Sequence, residues 1–138
     1  MRYLSYTLLA LAAYTFVAPL TKLATRDLPS DAVAAVTNGI LVLVALAVVF
    51  ASGSDLGRVF THPDARFVYP AGVLLAVGIL AYYRALALGP VSVVVPVFGL
   101  FLVTSSAVGM AFLDEAVTAR KLAGIALAVA AVYLTAVE

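Results

Sequence analysis

The sequence has no cysteine and few charged residues. Without cysteine, the chain can form neither a disulfide bond nor a thiolate metal site. Only 11% of its residues are charged, whereas a typical soluble domain has about 25%. Its hydrophobic content of 65% is more than a water-soluble core of 138 residues could bury. These features exclude a soluble globular domain, and we expect an integral membrane protein.

Other absences exclude whole classes of function. The eight basic residues are dispersed between apolar runs, so they form no phosphate-binding patch and we expect no nucleic-acid partner. There is no glycine-rich phosphate loop, no paired acid and base and no nucleophile beside a base, so we expect neither enzyme activity nor a cofactor. The single histidine, His62, has no second ligand and is typical of a solvated loop rather than a metal site.

Charged residues and turn signals divide the chain into five apolar segments. They cover residues 3–21, 32–54, 67–83, 91–113 and 119–137. As helices they would each span roughly 25–35 Å, close to the thickness of one hydrocarbon core. The first segment exceeds the hydrophobic region of a signal peptide, about 7–15 residues, so we favour a retained helix. We therefore predict one all-α domain, residues 1–138, with transmembrane helices near 3–23, 31–52, 67–88, 91–113 and 118–137.

Several residues mark where these helices should begin. Ser30 or Asp31 can cap the second helix and Thr118 the last one. Gly89-Pro90 indicates the break between the third and fourth helices. Asp114-Glu115 should stabilise the positive end of the last helix.

Orientation in the membrane is weakly encoded. With five spans, five basic residues share the side of the N-terminus and three lie on the other side. The positive-inside rule thus favours an inside N-terminus, but the margin is small enough for insertion in both orientations. We expect a multi-pass protein of a prokaryotic plasma membrane.

The second half of the chain carries a recognisable order of residues. Its features are Tyr82-Tyr83-x-Ala85-Leu86, the turn before Ser92, Val95-Pro96, a small-residue run to Glu115, then Thr118 and Gly124. In these features residues 81–134 resemble the EamA-type domain of the drug/metabolite transporter superfamily. The first half, with Lys22 and Pro29, resembles the same domain more loosely. The chain departs from many relatives in having Asn38 in place of an arginine and Asp114 in place of a glycine.

The resemblance implies half of a ten-helix transporter plan, in which two inverted five-helix domains enclose a substrate cavity. Because the chain has no internal repeat, we expect a homodimer, antiparallel pairing included, that transports small organic solutes through the lipid bilayer by alternating access. No carboxylate lies inside the five segments, so the embedded acid that couples protons in small multidrug-resistance relatives has no counterpart. Two alternatives stay open: a non-transporting scaffold or regulatory subunit, and a flippase for a lipid-linked headgroup.

Six residues are candidate contacts to the substrate. They are Tyr14, Asn38, Tyr83, Arg84, Ser92 and Pro96. Pro96 leaves the carbonyl of Ser92 without its helical donor, so that carbonyl needs protein or water; a plain packing kink is an equal alternative. The Asn38 amide needs a buried partner, which an interhelical hydrogen bond could also provide. Tyr14 offers an aromatic body and a hydroxyl, and Arg84 either guards the cavity mouth or extends to the membrane surface.

Overall fold

The chain is almost entirely helical. The computed structural model describes residues 2–113 and 116–136. The structure is 87% helical, and there is no strand in those ranges. The helices are α1 (Arg2–Ala24), α2 (Ser30–Ser52), α3 (Leu56–Thr61), α4 (Ala65–Leu88), α5 (Val91–Phe112) and α6 (Ala119–Ala136). The predicted all-α membrane fold is confirmed, since α1, α2, α4 and α5 are long and apolar enough to cross a bilayer. The fifth predicted span corresponds to α6, which is not among these four. It has 18 residues and carries Arg120 and Lys121 in its first turn.

The start of α2 differs from the prediction. We expected Ser30 or Asp31 to cap it, and this was wrong: the helix begins at Ser30, Pro29 occupies the cap position, and no side chain caps the start. Pro29 has extended backbone angles (φ −59°, ψ 134°), and its carbonyl accepts the N–H of Val33 at 3.0 Å. Because proline fixes φ near the helical value, Pro29 can end the connection itself and let the helix begin one residue earlier.

The other end of α2 is closed by glycine. Gly53 has φ 68°, a left-handed conformation that residues with a Cβ rarely adopt. The N–H of Ser54 reaches back to the carbonyl of Val49 at 3.2 Å, and that of Gly53 reaches Phe50 at 3.3 Å. These bonds satisfy carbonyls that the end of a helix leaves without donors.

The predicted starts of the last two helices are confirmed. Pro90 caps α5, and its carbonyl accepts the N–H groups of Val93 and Val94. The Thr118 hydroxyl accepts the N–H of Lys121 at 3.2 Å, as a helix cap should. Asp114 and Glu115, which we expected to stabilise the start of the last helix, lie outside the described residues.

The longest predicted connection, residues 55–66, contains the short helix α3. The Asp55 carboxylate caps it by accepting the N–H of Arg58 at 3.3 Å. His62 follows as an exposed residue, with Nδ1 3.3 Å from Oδ2 of Asp64. Within the described ranges no three acidic, histidine or cysteine side chains gather where they could hold a metal ion.

The chain divides into two compact units, Met1–Leu88 and Gly89–Glu138. In the first unit α4 packs against α1, α2 and α3, so it is the central helix. In the second unit α5 packs against α6. Four of the six candidate site residues belong to the first unit, and Ser92 and Pro96 belong to the second.

Candidate functional site

The helices α1, α2 and α4 pack together at one end only. The buried side chains of this end lie where α1 ends, α2 begins and α4 ends; they are Ala18, Thr21, Ser30, Val33, Ala34, Tyr83 and Leu86. Ala65, at the other end of α4, is buried separately. We call this region, residues 18–24, 30–38 and 79–88, the packed end. Beyond it, residues 3–16 of α1 and 66–77 of α4 are all exposed, and residues 39–52 of α2 include no buried one. The three helices are therefore held together at one end and leave their other halves uncovered within the unit.

A hydrogen bond between α2 and α4 lies inside the packed end. The Tyr83 hydroxyl is 3.0 Å from Oγ1 of Thr37, and only 5% of Tyr83 is exposed. Thr37 also donates to the carbonyl of Val33 at 2.9 Å, so we assign Tyr83 as the donor to Thr37. The bond satisfies a tyrosine hydroxyl that would otherwise be buried without a partner. It also means that the hydroxyl of Tyr83, a predicted substrate contact, is already occupied.

Asn38 lies next to this bond and keeps part of its hydrogen-bonding capacity. Its Nδ2 donates to the carbonyl of Ala34, one turn earlier, at 2.8 Å. A primary amide has two donors and an acceptor oxygen, and within the described ranges the oxygen and the second N–H meet no partner. The side chain is half-buried in a span of high hydropathy. Since an unpaired amide is costly in hydrocarbon, these two groups are available to a solute, to water or to another helix.

Tyr14 continues the packing face of α1 past the packed end. It precedes Ala18 by four residues and Thr21 by seven, so all three lie on one face of the helix. Ala18 and Thr21 are buried, but 72% of Tyr14 is exposed. The exposure follows from its position, one turn beyond the point where the helices meet.

Tyr14 and Asn38 lie at a similar depth along their helices. Tyr14 is ten residues from the end of α1, about 15 Å along the axis, and Asn38 is eight residues from the start of α2, about 12 Å. Asn38 also follows the buried Ala34 by four residues, so it extends the α2 packing face as Tyr14 extends that of α1. We call these two side chains, with Thr37 and Tyr83 beneath them, the candidate site of the first unit.

Arg84 is not part of this arrangement. It is exposed and lies four residues before Leu88, the last residue of α4, so its guanidinium can reach the end of the helix. Its neighbour Tyr83 faces the packed end, which places Arg84 about 100° away around the helix. The position suits a residue at the rim of a pathway or at the membrane surface.

In the second unit, Ser92 is exposed in the first turn of α5 and Pro96 is half-buried in the next turn. The helix continues without a break through Pro96 to Phe112. Pro96 therefore lies near the beginning of α5 rather than at its centre. The Ser92 carbonyl, which loses its helical donor at Pro96, is correspondingly close to the end of the span.

Two grooves lie away from these residues. One, of about 320 Å³, is between α5 and α6 and is lined by residues that include Ser106, Met110, Lys121 and Gly124. The other, of about 300 Å³, is beside α3 and includes Arg58 and His62 in its lining. Neither groove is lined by any of the six candidate residues.

Two contacts of the packed end were absent from the predictions. Thr37 was not singled out, because a threonine inside a helix ordinarily bonds only to its own backbone. Lys22 was noted in the sequence only as part of the family resemblance, and its Nζ donates to the carbonyl of Ala87 in α4 at 3.2 Å. The sequence offered a weak signal for the second contact, since α4 has no basic residue in its own last turn.

The profile of the EamA-like transporter family matches residues 1–137. No curated protein and no solved structure matches the chain.

Proposed function

The chain belongs to the EamA-like transporter family, and on that premise we propose that it transports small organic solutes as a dimer of five-helix units. Family membership and the long apolar helices make it a multi-pass membrane protein with a transporter-like function. The proposal adds the class of solute, the second copy and an alternating-access cycle, in which a central site opens to each side of the membrane in turn.

The observation that carries the proposal is the free amide capacity of Asn38. Its oxygen and one N–H are unpaired within the described ranges, about 12 Å inside the span. Tyr14 offers a hydroxyl and an aromatic face at a similar depth. Polar groups inside spans are expensive and commonly mark a pathway for a substrate. A solute with one hydrogen-bonding group and an apolar body would satisfy both side chains.

The exposure of the helices supports a second copy. Only 11% of the most hydrophobic stretch of α2 is buried, and no part of the corresponding stretch of α5 is buried. Lipid can cover the apolar residues, but it cannot pair with the Asn38 amide. A second five-helix unit, parallel or antiparallel, would enclose that amide and complete a ten-helix assembly. A two-fold dimer is the commonest closed arrangement of identical subunits.

The polar groups indicate which solutes to test. Tyr14 and Asn38 are uncharged, so they select by hydrogen bonding and shape rather than by charge. Arg84, exposed near the end of α4, can attract an anionic group at the rim. A solute whose charged group stays in the lipid headgroup region would also fit this layout, so lipid-linked headgroups belong in the test.

The test is solute uptake into liposomes that contain the purified protein, with amino acids, nucleosides and cationic drugs as the panel. We expect uptake of at least one class above protein-free liposomes. Asn38→Leu and Tyr14→Phe should then lower uptake at low solute concentration, each by up to about tenfold, the value of one hydrogen bond. Tyr133→Phe, an exposed tyrosine on α6, is the matched control and should leave uptake unchanged.

Other outcomes would redirect the proposal. Absence of uptake by a folded protein would favour the scaffold or regulatory subunit. Movement of labelled lipid headgroups between leaflets, without uptake of free solutes, would favour the flippase. Mass measurement in detergent that finds only monomers at high protein concentration would contradict the dimer.

A further inference from the structure

Lys22 connects two helices that are far apart in the sequence. Its ammonium group donates to the carbonyl of Ala87, 65 residues later, at 3.2 Å. Ala87 is in the last turn of α4, where carbonyls lack donors within the helix. That end of the helix carries a partial negative charge, and α4 has no basic residue of its own there. Lys22 therefore supplies a cation from α1 to the last turn of α4, in addition to Arg84, which lies one turn earlier and is exposed.

The residues beside this bond belong to the buried layer of the packed end. Thr21, which precedes Lys22, is 4% exposed, and Leu86, which precedes Ala87, is fully buried. Ser30, at the start of α2, is also buried. The Lys22 bond thus lies at the edge of the layer that holds α1, α2 and α4 together. Beyond the packed end the same three helices bury almost nothing, so this layer determines how they are arranged.

We infer that Lys22 is a positioning residue, which holds the end of α4 against α1 and thereby keeps the packed end closed beneath the candidate site. The inference rests on the proposed function, because a closed end matters only if a solute occupies the site above it. The Thr37–Tyr83 bond joins two neutral groups, an exposed threonine and a buried tyrosine, whereas Lys22 is a half-buried cation at the end of the span. Lys22 can exchange its carbonyl for water, so it is the contact that releases α4 when this end opens.

The absence of cysteine allows a direct test in the full chain. Single cysteines replace the serines at the two ends of α2: Ser30→Cys in the packed end and Ser52→Cys at the exposed end. The rate of reaction with a water-soluble maleimide in detergent reports how often each end opens. We expect Ser30→Cys to react more slowly than Ser52→Cys, since only the first is buried.

Lys22→Met should then accelerate the reaction of Ser30→Cys by about tenfold or more, the range for a hydrogen bond to a charged group, and leave Ser52→Cys unchanged. Lys22→Arg keeps a cationic donor and should restore the slow rate. Arg26→Met removes a nearby positive charge from an exposed position and is the matched control. An unchanged rate at Ser30→Cys in Lys22→Met, or equal acceleration at both cysteines, would overturn the inference.

A second readout separates positioning from general stability. Lys22 lies below the site, so Lys22→Met should change the maximal rate of uptake while the half-saturating solute concentration stays nearly constant. A loss of helical circular dichroism in both Lys22→Met and Lys22→Gln would assign Lys22 to folding and refute a positioning role. If no solute is taken up while the labelling pattern holds, the proposed function fails and the closed end stands. If uptake occurs without the labelling pattern, the proposed function stands and the positioning role of Lys22 is refuted.

Discussion

The Thr37–Tyr83 bond makes an asymmetric prediction about two substitutions that remove the same contact. Thr37 donates to the Val33 carbonyl at 2.9 Å whether or not Tyr83 is present. Tyr83→Phe therefore deletes one bond without leaving a polar group unsatisfied. We expect it to lower the free energy of unfolding by about 0.5–1 kcal/mol, as measured for hydrogen bonds between membrane helices and in soluble proteins.

Thr37→Val should lower the free energy of unfolding by more than Tyr83→Phe does, although each substitution removes one hydroxyl. It leaves the Tyr83 hydroxyl without its partner in a residue that is 5% exposed. An unpaired buried hydroxyl costs about 1–3 kcal/mol. Adding Tyr83→Phe to Thr37→Val removes that orphaned hydroxyl, so the double variant should be more stable than Thr37→Val alone.

The assay is equilibrium unfolding in mixed micelles, followed by helical circular dichroism as the fraction of denaturing detergent increases. Tyr69→Phe, in the exposed part of α4, controls for loss of a tyrosine hydroxyl. Thr104→Val, whose hydroxyl bonds only to its own helix, controls for loss of a threonine hydroxyl. The reasoning is refuted if Tyr83→Phe costs more than Thr37→Val, or if the double variant is simply the sum of the two.

Three further predictions concern helix ends; the first two can be measured in the same unfolding assay, and the third by proteolysis. Gly53→Ala should lower the free energy of unfolding by about 1 kcal/mol, because Gly53 has a φ of 68°. As a contrast, Gly39→Ala in the middle of α2, where no atom lies near the added Cβ, should raise it by about 0.5–1 kcal/mol. A change of the same sign at both sites would contradict this prediction. Thr118→Ala should lower the free energy of unfolding by about 1 kcal/mol, because it removes the hydroxyl that accepts the Lys121 N–H, and Thr118→Ser should keep most of that stability. Asp55→Ala should remove the α3 cap and speed proteolysis of the connection between α2 and α4, while the spanning helices stay intact.

The positions of the helices could be predicted because lipid imposes simple rules on a chain. Runs without charge must be helical, and charges and turn residues must lie at their ends. Pro90 and Thr118 followed those rules. Pro29 did not, because its φ is already near the helical value, so it occupies the cap position itself and the helix begins at Ser30 without a side-chain cap. α3 has only six residues, too few to show a clear hydrophobic period.

Contacts between helices were harder to predict than the helices themselves. The pairing of Thr37 with Tyr83 depends on how α2 and α4 cross, and a rotation of either helix by one residue would separate the two hydroxyls. The bond from Lys22 to Ala87 involves a backbone carbonyl, which every residue has, so no side chain marks its acceptor. Asn38 and Tyr14 could be singled out as unusual residues in apolar segments, and the predicted helix bounds already gave them a similar depth.

The uncharged character of Tyr14 and Asn38 has a consequence for the proposed transport cycle. A site that selects by hydrogen bonds rejects a solute that lacks the matching group, because its own polar atoms are then buried without partners. The same penalty applies when the site closes with no solute in it. For Asn38, closing an empty site would leave the amide oxygen and one N–H unpaired in hydrocarbon, unless water stays with them. Closure around a bound solute avoids that penalty, so the neutral amide could itself link solute binding to closure without an embedded carboxylate.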